Sequence, residues 1–116
     1  MQIINVRANV AVANHAAATA WYAHLFGREA DSRPMDGLAE WDITATSGLQ
    51  VSQDAARAGT STVTLVVNDL EACVADLRGR GIEVPDVTVG TGARFVQFTD
   101  PDGNTLVFAA ALPKNP

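Results

Sequence analysis

The sequence has few of the residues that bind metals or form covalent cross-links. Its one cysteine, Cys73, cannot form an intrachain disulfide, and a cysteine-based metal cluster is excluded. The two histidines, His15 and His24, lie nine positions apart on one predicted helix. Histidines that chelate a metal from one helix are three or four positions apart, so these two cannot bind one ion together. We expect His15 to be exposed near the helix start and Cys73 to be a buried, unreactive thiol.

Positive charge is also sparse. The chain has 8 Lys and Arg against 13 Asp and Glu, a net charge of -5, and the basic residues are scattered. Because nucleic acids and anionic membrane surfaces are bound by clustered basic side chains, we expect neither partner. No apolar run is long enough to cross a bilayer, and residues 1–7 lack the pattern of a secretory signal. We therefore expect a cytoplasmic protein.

The first half of the chain predicts a strand, a helix and three further strands. Apolar and polar residues alternate over 3–13, and helical spacing follows, with Asn14 as the N-cap. The turn-rich stretch 28–37 predicts a short edge strand. Alternation returns over 38–46, and Ser47-Gly48 is a tight-turn signal before another short strand.

The second half of the chain repeats this order of elements. An alternating strand that ends at Val67 leads into a helix capped by Asn68 or Asp69. Residues 82–89 predict a further strand, and two last strands are joined by a turn at 100–104. The same order of elements therefore occurs twice.

This organisation predicts one α+β domain over 1–116, built from two strand–helix–three-strand (βαβββ) repeats. Repeat one spans about 1–56 and repeat two about 60–112. A ferredoxin-like sandwich is the alternative, but its unit has one fewer strand per helix and leaves the hairpin at 47–48 unaccounted for. The repeat is the better interpretation.

Two segments resemble the vicinal-oxygen-chelate superfamily, which includes glyoxalases, bleomycin resistance proteins and extradiol dioxygenases. The strand end Val10–Asn14, the pair Trp21-Tyr22 and the helix end Leu25–Gly27 are similar to its opening strand and helix. The string Asp100–Asn104 resembles its closing hairpin, and we interpret this turn as structural. The resemblance covers residues 3–110 and implies that the two halves form a curved mixed sheet around a ligand cleft, with the helices outside.

In the metal enzymes of that superfamily, a divalent ion sits in the cleft on His, Glu or Gln side chains. The resemblance places the four corresponding positions at Arg7, Gln50, Thr62 and Val107. A guanidinium stays protonated and repels a cation, and valine has no donor atom. Neutral Thr and Gln oxygens are weak ligands for transition metals. We therefore expect no metal and no other cofactor.

Strand alternation predicts which side chains face the cleft. Arg7 is either an anion clamp or the partner of Glu40 or Asp42 in a salt bridge. The two carboxylates are a general base if desolvated, and otherwise face solvent. Trp21 and Trp41 are assigned to the core. The cleft lining suits a polar organic ligand with an aromatic part. The predicted cleft-facing residues are Arg7, Asn9, Glu40, Asp42, Gln50, Ser52, Thr62, Thr64, Phe95, Gln97 and Val107.

Three functions are compatible with this cleft. The first is a metal-free protein that binds a small organic molecule, similar to the antibiotic-binding resistance branch of the superfamily. The second is a lyase, isomerase or dioxygenase that uses a displaced metal site or metal-free acid–base chemistry. The third is a non-catalytic interaction module. The resemblance implies a homodimer, which is also the commonest assembly of soluble oligomers.

Overall fold

The computed structural model describes residues 1–113, in which two helices and eight strands occur. Neither helix is long and apolar enough to cross a membrane. The elements in chain order are β1 (Val6–Val12), α1 (His15–Phe26), β2 (Ser32–Met35), β3 (Leu38–Thr44), β4 (Ser47–Gln53), β5 (Thr62–Val66), α2 (Leu70–Gly79), β6 (Thr88–Val89), β7 (Ala93–Thr99) and β8 (Thr105–Ala111).

Each half of the chain forms its own four-stranded mixed sheet. The strand order is β1-β4-β3-β2 in the first sheet and β5-β8-β7-β6 in the second. The first strand of each half runs parallel to the last strand of that half, and the other neighbours are antiparallel. This correspondence confirms the predicted α+β class and the βαβββ repeat. A ferredoxin-like unit lacks the fourth strand that each half contains.

Both helices begin at side-chain caps. Asn14 Oδ1 accepts from the backbone N–H of Ala17 at 3.1 Å, and Asp69 Oδ1 accepts from that of Ala72 at 3.0 Å. Asp69 is therefore the cap of α2, and Asn68 precedes it. The N-terminal end of each helix is thus anchored directly after the first strand of its half.

The core lies under the strand faces that alternation predicts to be apolar. Val10 and Val12 in β1 and Trp41 in β3 are completely buried. Trp21 packs against the same cluster while staying partly exposed, so both tryptophans are core residues as predicted. Cys73 is partly buried, and this burial raises the pKa of its thiol. Residues of both halves form one hydrophobic cluster.

The tight turn predicted at Ser47-Gly48 is wrong. Both residues belong to β4, and the turn before that strand lies at 45–46. Gly48 is buried, and its φ is outside the left-handed region. A glycine indicates either a special backbone conformation or the close approach of another group, and here the second reason applies.

The strand predicted over 82–89 is also wrong for most of its length. Only Thr88–Val89 pairs with β7. Ile82 and Val84 are buried in the core and alternate with exposed residues, which is the pattern that predicted a strand. They form no strand in the structure. Pro85, which follows them, has no N–H to donate to a sheet. Alternate burial at this segment therefore does not indicate strand pairing.

The turn between β7 and β8 fastens the second half to the first. Asp100 and Asn104 are 4% and 0% exposed. Asn104 Nδ2 donates to Ala11 O at 2.8 Å and to Asp100 Oδ2 at 2.9 Å. Asn104 Oδ1 accepts from Ser61 N at 3.0 Å, and Tyr22 Oη donates to Asp100 Oδ2 at 2.7 Å. One amide thus joins the end of β1 to the start of β5, and one carboxylate joins the turn to α1.

We predict that Tyr22, the only tyrosine, ionises only when the protein unfolds. Burial raises the pKa of its phenol, and the hydrogen bond to Asp100 and the charges of Asp100 and Asp102 raise it further. The stability that this shift contributes is present below about pH 10, the ordinary phenol range, and is lost as the pH rises above it. Tyrosinate absorbance and circular dichroism should therefore change together in an alkaline titration.

The Tyr22→Phe variant is the control, because it has no phenol to ionise and should lose this alkaline sensitivity. Tyrosinate appearing near pH 10 while the circular dichroism stays native would show that the phenol is accessible, contrary to the structure.

We predict that Asn104→Ala lowers the free energy of unfolding by about 2–4 kcal/mol, because it leaves the buried Ala11 C=O and the partly buried Ser61 N–H without their partners. Chemical denaturation measures the change. Asn68→Ala removes an exposed asparagine and should change the free energy by less than about 0.5 kcal/mol. Equal effects of the two substitutions would contradict the structural role of Asn104.

Candidate ligand-binding faces

The predicted cleft residues divide between the two sheets. Along each strand they alternate with side chains that pack in the core, as the sequence pattern predicts. On the first sheet they form what we call the charged face: Arg7, Asn9, Glu40, Asp42, Gln50 and Ser52. On the second sheet they form the neutral face: Thr62, Thr64, Phe95, Gln97 and Val107.

On the charged face, Arg7 reaches across one strand to Asp42. Gly48 in β4 pairs with Arg7 in β1 on one side and with Asp42 in β3 on the other. Arg7 Nη1 donates to Asp42 Oδ1 at 2.8 Å and lies 4.0 Å from Glu40 Oε2. Of the two roles predicted for Arg7, the salt bridge is the one that the structure contains.

Gln50 connects the next row of the charged face. It pairs with Asn9 of β1 and with Glu40 of β3. Gln50 Nε2 donates to Glu40 Oε1 at 2.7 Å, and Gln50 Oε1 accepts from Asn9 Nδ2 at 3.3 Å. Ser52 Oγ donates to Asn9 Oδ1 at 2.9 Å. Both ends of the Gln50 amide are therefore engaged within one network.

The neutral face occupies the corresponding positions of the second sheet without charge. Its middle row is Val107 of β8, paired with Thr64 of β5 and Gln97 of β7. The other members of the face lie in the rows on either side. Within the part of the chain that the structure describes, no hydrogen bond or ion pair joins a side chain of this face to the charged face.

The positions that hold the ion in metal enzymes of the superfamily do not fit a divalent cation here. The Arg7 guanidinium is a cation paired with Asp42, and the Gln50 amide is committed to two neighbours. Thr62 offers one neutral hydroxyl, and Val107 offers no donor atom. Over residues 1–113, no group of three or more His, Cys, Asp or Glu side chains is placed to hold a metal.

The two histidines lie apart from these rows. His15 is only partly exposed, because the first turn of α1 sits beside the end of β4. Its Nε2 lies 3.1 Å from Val51 O, and its backbone N–H donates to Gln53 Oε1 at 2.8 Å. His24 is exposed on α1.

Two cavities reach the borders of the faces. One, of about 490 Å³, meets the neutral face at Thr64, and the other, of about 430 Å³, meets it at Gln97. Most of their other lining residues belong to α1, to the core side of the sheets or to loops. Among these residues are Phe26, Ile43, Val67 and Phe108 in the first cavity and Trp21, Ile82, Pro85 and Phe98 in the second.

Gly48 is the member of the charged face that the sequence pattern missed. It has no side chain, so alternation assigns it to neither face. The available signal was a glycine within an alternating strand, which indicates that another group approaches the backbone closely. In the structure that group is the Arg7 guanidinium.

The relatives of the chain have the same fold. A model of the Glyoxalase/Bleomycin resistance protein/Dioxygenase superfamily matches residues 4–108. The chain belongs to this superfamily. No curated protein matches it in sequence.

Solved structures of other proteins are similar over nearly the whole chain. A glyoxalase/bleomycin resistance protein from Catenulispora acidiphila is 33% identical with a TM-score of 0.86, covering 95% of this chain and 99% of that one. An antibiotic-binding protein from a Streptomyces species is 20% identical with a TM-score of 0.79, covering 97% and 98%. A bleomycin resistance determinant encoded on transposon Tn5 is 17% identical with a TM-score of 0.76, covering 92% and 97%. The last two likenesses show the fold alone.

We predict that Gln50→Glu destabilises this superfamily member by about 1–2 kcal/mol at neutral pH, because it places a second carboxylate against Glu40. The repulsion favours protonation of one carboxyl group of the pair, so the loss should shrink as the pH falls and be gone by about pH 4, the ordinary range of a glutamate. Urea denaturation across that pH range measures the effect.

Gln97→Glu is the matched control, since it makes the same change at an exposed position of the neutral face. The change in stability that it causes, relative to the wild type, should be nearly independent of pH. If Gln50→Glu behaves like Gln97→Glu, the contact between Gln50 and Glu40 does not exist in solution.

Proposed function

We propose that this superfamily member binds a small organic molecule on its charged and neutral faces and uses no metal ion. The observation that carries the proposal concerns the positions that hold the ion in metal enzymes of the superfamily. Arg7 there is a cation bonded to Asp42, and Val107 has no donor atom. Side chains of these kinds hold a ligand by hydrogen bonds and contact area rather than by coordinating an ion.

The two faces indicate the chemical character of the ligand. The charged face offers a hydrogen-bonded network of carboxylates, amides and a guanidinium. The neutral face offers Phe95 and Val107, both partly buried, beside hydroxyl and amide groups. We propose a ligand that combines hydrogen-bonding groups with an apolar or aromatic part, since each part then meets a matching surface.

Two structural neighbours favour sequestration as the biological role. One is an antibiotic-binding protein and the other a bleomycin resistance determinant. A protein that holds a toxic molecule without changing it needs a complementary surface and no reacting group. We therefore propose antibiotic resistance by binding as the role of this chain.

We further propose that the protein acts as a homodimer. Ile3, Ile4, Val6 and Val66 are each 67–78% exposed in the single chain. A symmetric pair of chains would remove such apolar side chains from water. Light scattering of the purified protein distinguishes the dimer from a monomer. The cytoplasmic location, like the absence of nucleic-acid and membrane partners, stays a prediction from the sequence.

An enzyme of the lyase, isomerase or dioxygenase type is the alternative, and it needs a displaced metal site or metal-free acid–base chemistry. The Glu40 side chain already accepts from Gln50, and the Asp42 side chain is 59% exposed in a salt bridge. Asp42 is therefore solvated, whereas the Glu40 side chain is 16% exposed, is held by Gln50 and has Arg7 Nη1 4.0 Å away. Turnover of a glutathione hemithioacetal or a catechol by the purified protein would establish an enzyme. A non-catalytic interaction module is the third candidate, and it would bind no small molecule.

We predict that the purified protein carries less than one divalent metal ion per chain. Adding Mn, Fe, Ni, Co or Zn should leave the melting temperature unchanged, because an ion that binds only the folded state must raise it. Elemental analysis of the purified protein measures its ion content. Thermal denaturation of chelator-treated protein, with each ion added in turn, measures the shift in melting temperature.

His24→Ala is the control for ions held by an exposed histidine on the surface. A stoichiometric ion that survives this substitution and is lost in Gln50→Ala would reverse the proposal. The enzyme interpretation would then replace it.

A further inference from the structure

Gly48 lies at an unusual place for a glycine. It is buried in β4, which lies between β1 and β3, and its backbone conformation is one that any residue adopts. Glycine within a strand lowers stability because it gains nothing from packing and loses more chain entropy than other residues. Its presence therefore calls for a reason other than backbone conformation.

The second sheet shows that the position accepts a side chain. Thr105 of β8 pairs with Thr62 and Thr99, just as Gly48 of β4 pairs with Arg7 and Asp42. A β-branched residue fits this position of the repeat where no arginine crosses it. The glycine is therefore required by the side chain that lies over it in the first sheet and not by the fold.

The group that lies over Gly48 is the guanidinium of Arg7. A Cβ at position 48 would overlap Arg7 Nη1 and would lie 2.7 Å from Cζ and 2.9 Å from Cδ. The guanidinium thus rests directly on the Gly48 backbone on its way to Asp42. Any side chain at position 48 would lift it away from the sheet and from the carboxylate.

We propose that Gly48 is the specificity-determining residue of the charged face, and that it makes this face discriminate against anionic ligands. The proposal rests on the proposed function of small-molecule binding. With the guanidinium against Gly48, Arg7 is the counter-ion of Asp42, and Glu40 lies 4.0 Å from the same nitrogen. An incoming anion meets two carboxylates together with one cation that is already paired.

The consequence of a Cβ follows from which atoms it meets. The clash is with the far end of a flexible side chain, so Arg7 can swing outward while the strands keep their register. Gly48→Ala should therefore leave the protein folded, release the guanidinium toward solvent and give the face a cation able to pair with an anion. Gly79→Ala makes the same chemical change in α2, where a Cβ has nothing within 4 Å, and is the matched control.

The first test requires no ligand. Nitrogen-15 relaxation of the Arg7 Nε–Hε group reports how firmly the guanidinium is held. It should be rigid in the wild type and in Gly79→Ala, and mobile in Gly48→Ala. A mobile Arg7 in the wild type, or a rigid one in Gly48→Ala, would overturn the proposal.

The second test uses two probes of similar size, 2-naphthoate and 2-naphthylmethanol, titrated by NMR. The wild type should bind the carboxylate no more tightly than the alcohol. Gly48→Ala should bind the carboxylate about two- to fivefold more tightly than the wild type, the range of a partly exposed ion pair, with the alcohol unchanged. Adding Arg7→Gln to Gly48→Ala should abolish the gain.

Preferential binding of the carboxylate by the wild type, lost in Arg7→Gln, would show that Arg7 is an anion clamp and that the proposal is wrong. If neither probe binds any variant, the proposed function fails at these faces. The relaxation measurement still decides whether Gly48 holds Arg7 against Asp42, so the two failures are distinguishable.

Discussion

The buried carboxylate of Asp100 is the group on which the arrangement of the two halves depends. It accepts from Tyr22 Oη, from Asn104 Nδ2 and from the backbone N–H groups of Asp102 and Asn104. A buried charge is strongly unfavourable unless hydrogen bonds replace its water, so these partners have to be in place together. Because Asn104 also bonds Ala11 at the end of β1, the same network holds the closing hairpin against the first half. Together with the shared hydrophobic cluster, this network holds the two faces in their relative position.

The two repeats have the same strand pairing but carry chemically different side chains on it. In the middle row, Asn9, Gln50 and Glu40 of the first sheet correspond to Thr64, Val107 and Gln97 of the second. The row of the first sheet contains the charge of Glu40 and is linked by side-chain hydrogen bonds. The row of the second sheet contains no charged residue. Since pairing depends only on the backbone, the side chains of the charged and neutral faces are free to differ while those on the opposite side of each sheet stay apolar. A ligand that spans both faces therefore meets unlike surfaces.

Much of the fold could be predicted because its signals are local. The alternation that buries Val10 and Val12 also places Arg7 and Asn9 on the opposite side, and every residue of both faces except Gly48 was predicted in this way. The partner of Arg7 stayed open, since Glu40 and Asp42 share one face of β3 and only the register across β4 decides between them. The segment at 82–89 was assigned wrongly because core burial and strand pairing produce the same alternation.

By itself, the sequence determined the repeat of strand, helix and three strands, the division into core and outer faces, and the charge that each face carries. These properties depend on the spacing of residues within single segments. Only the tertiary structure decided that Gly48 lies under Arg7 instead of in a turn, that His15 rests against β4, and that Asn104 joins the two halves. Each of these contacts links segments far apart in the chain. Their meeting depends on strand register and packing, which no single segment specifies.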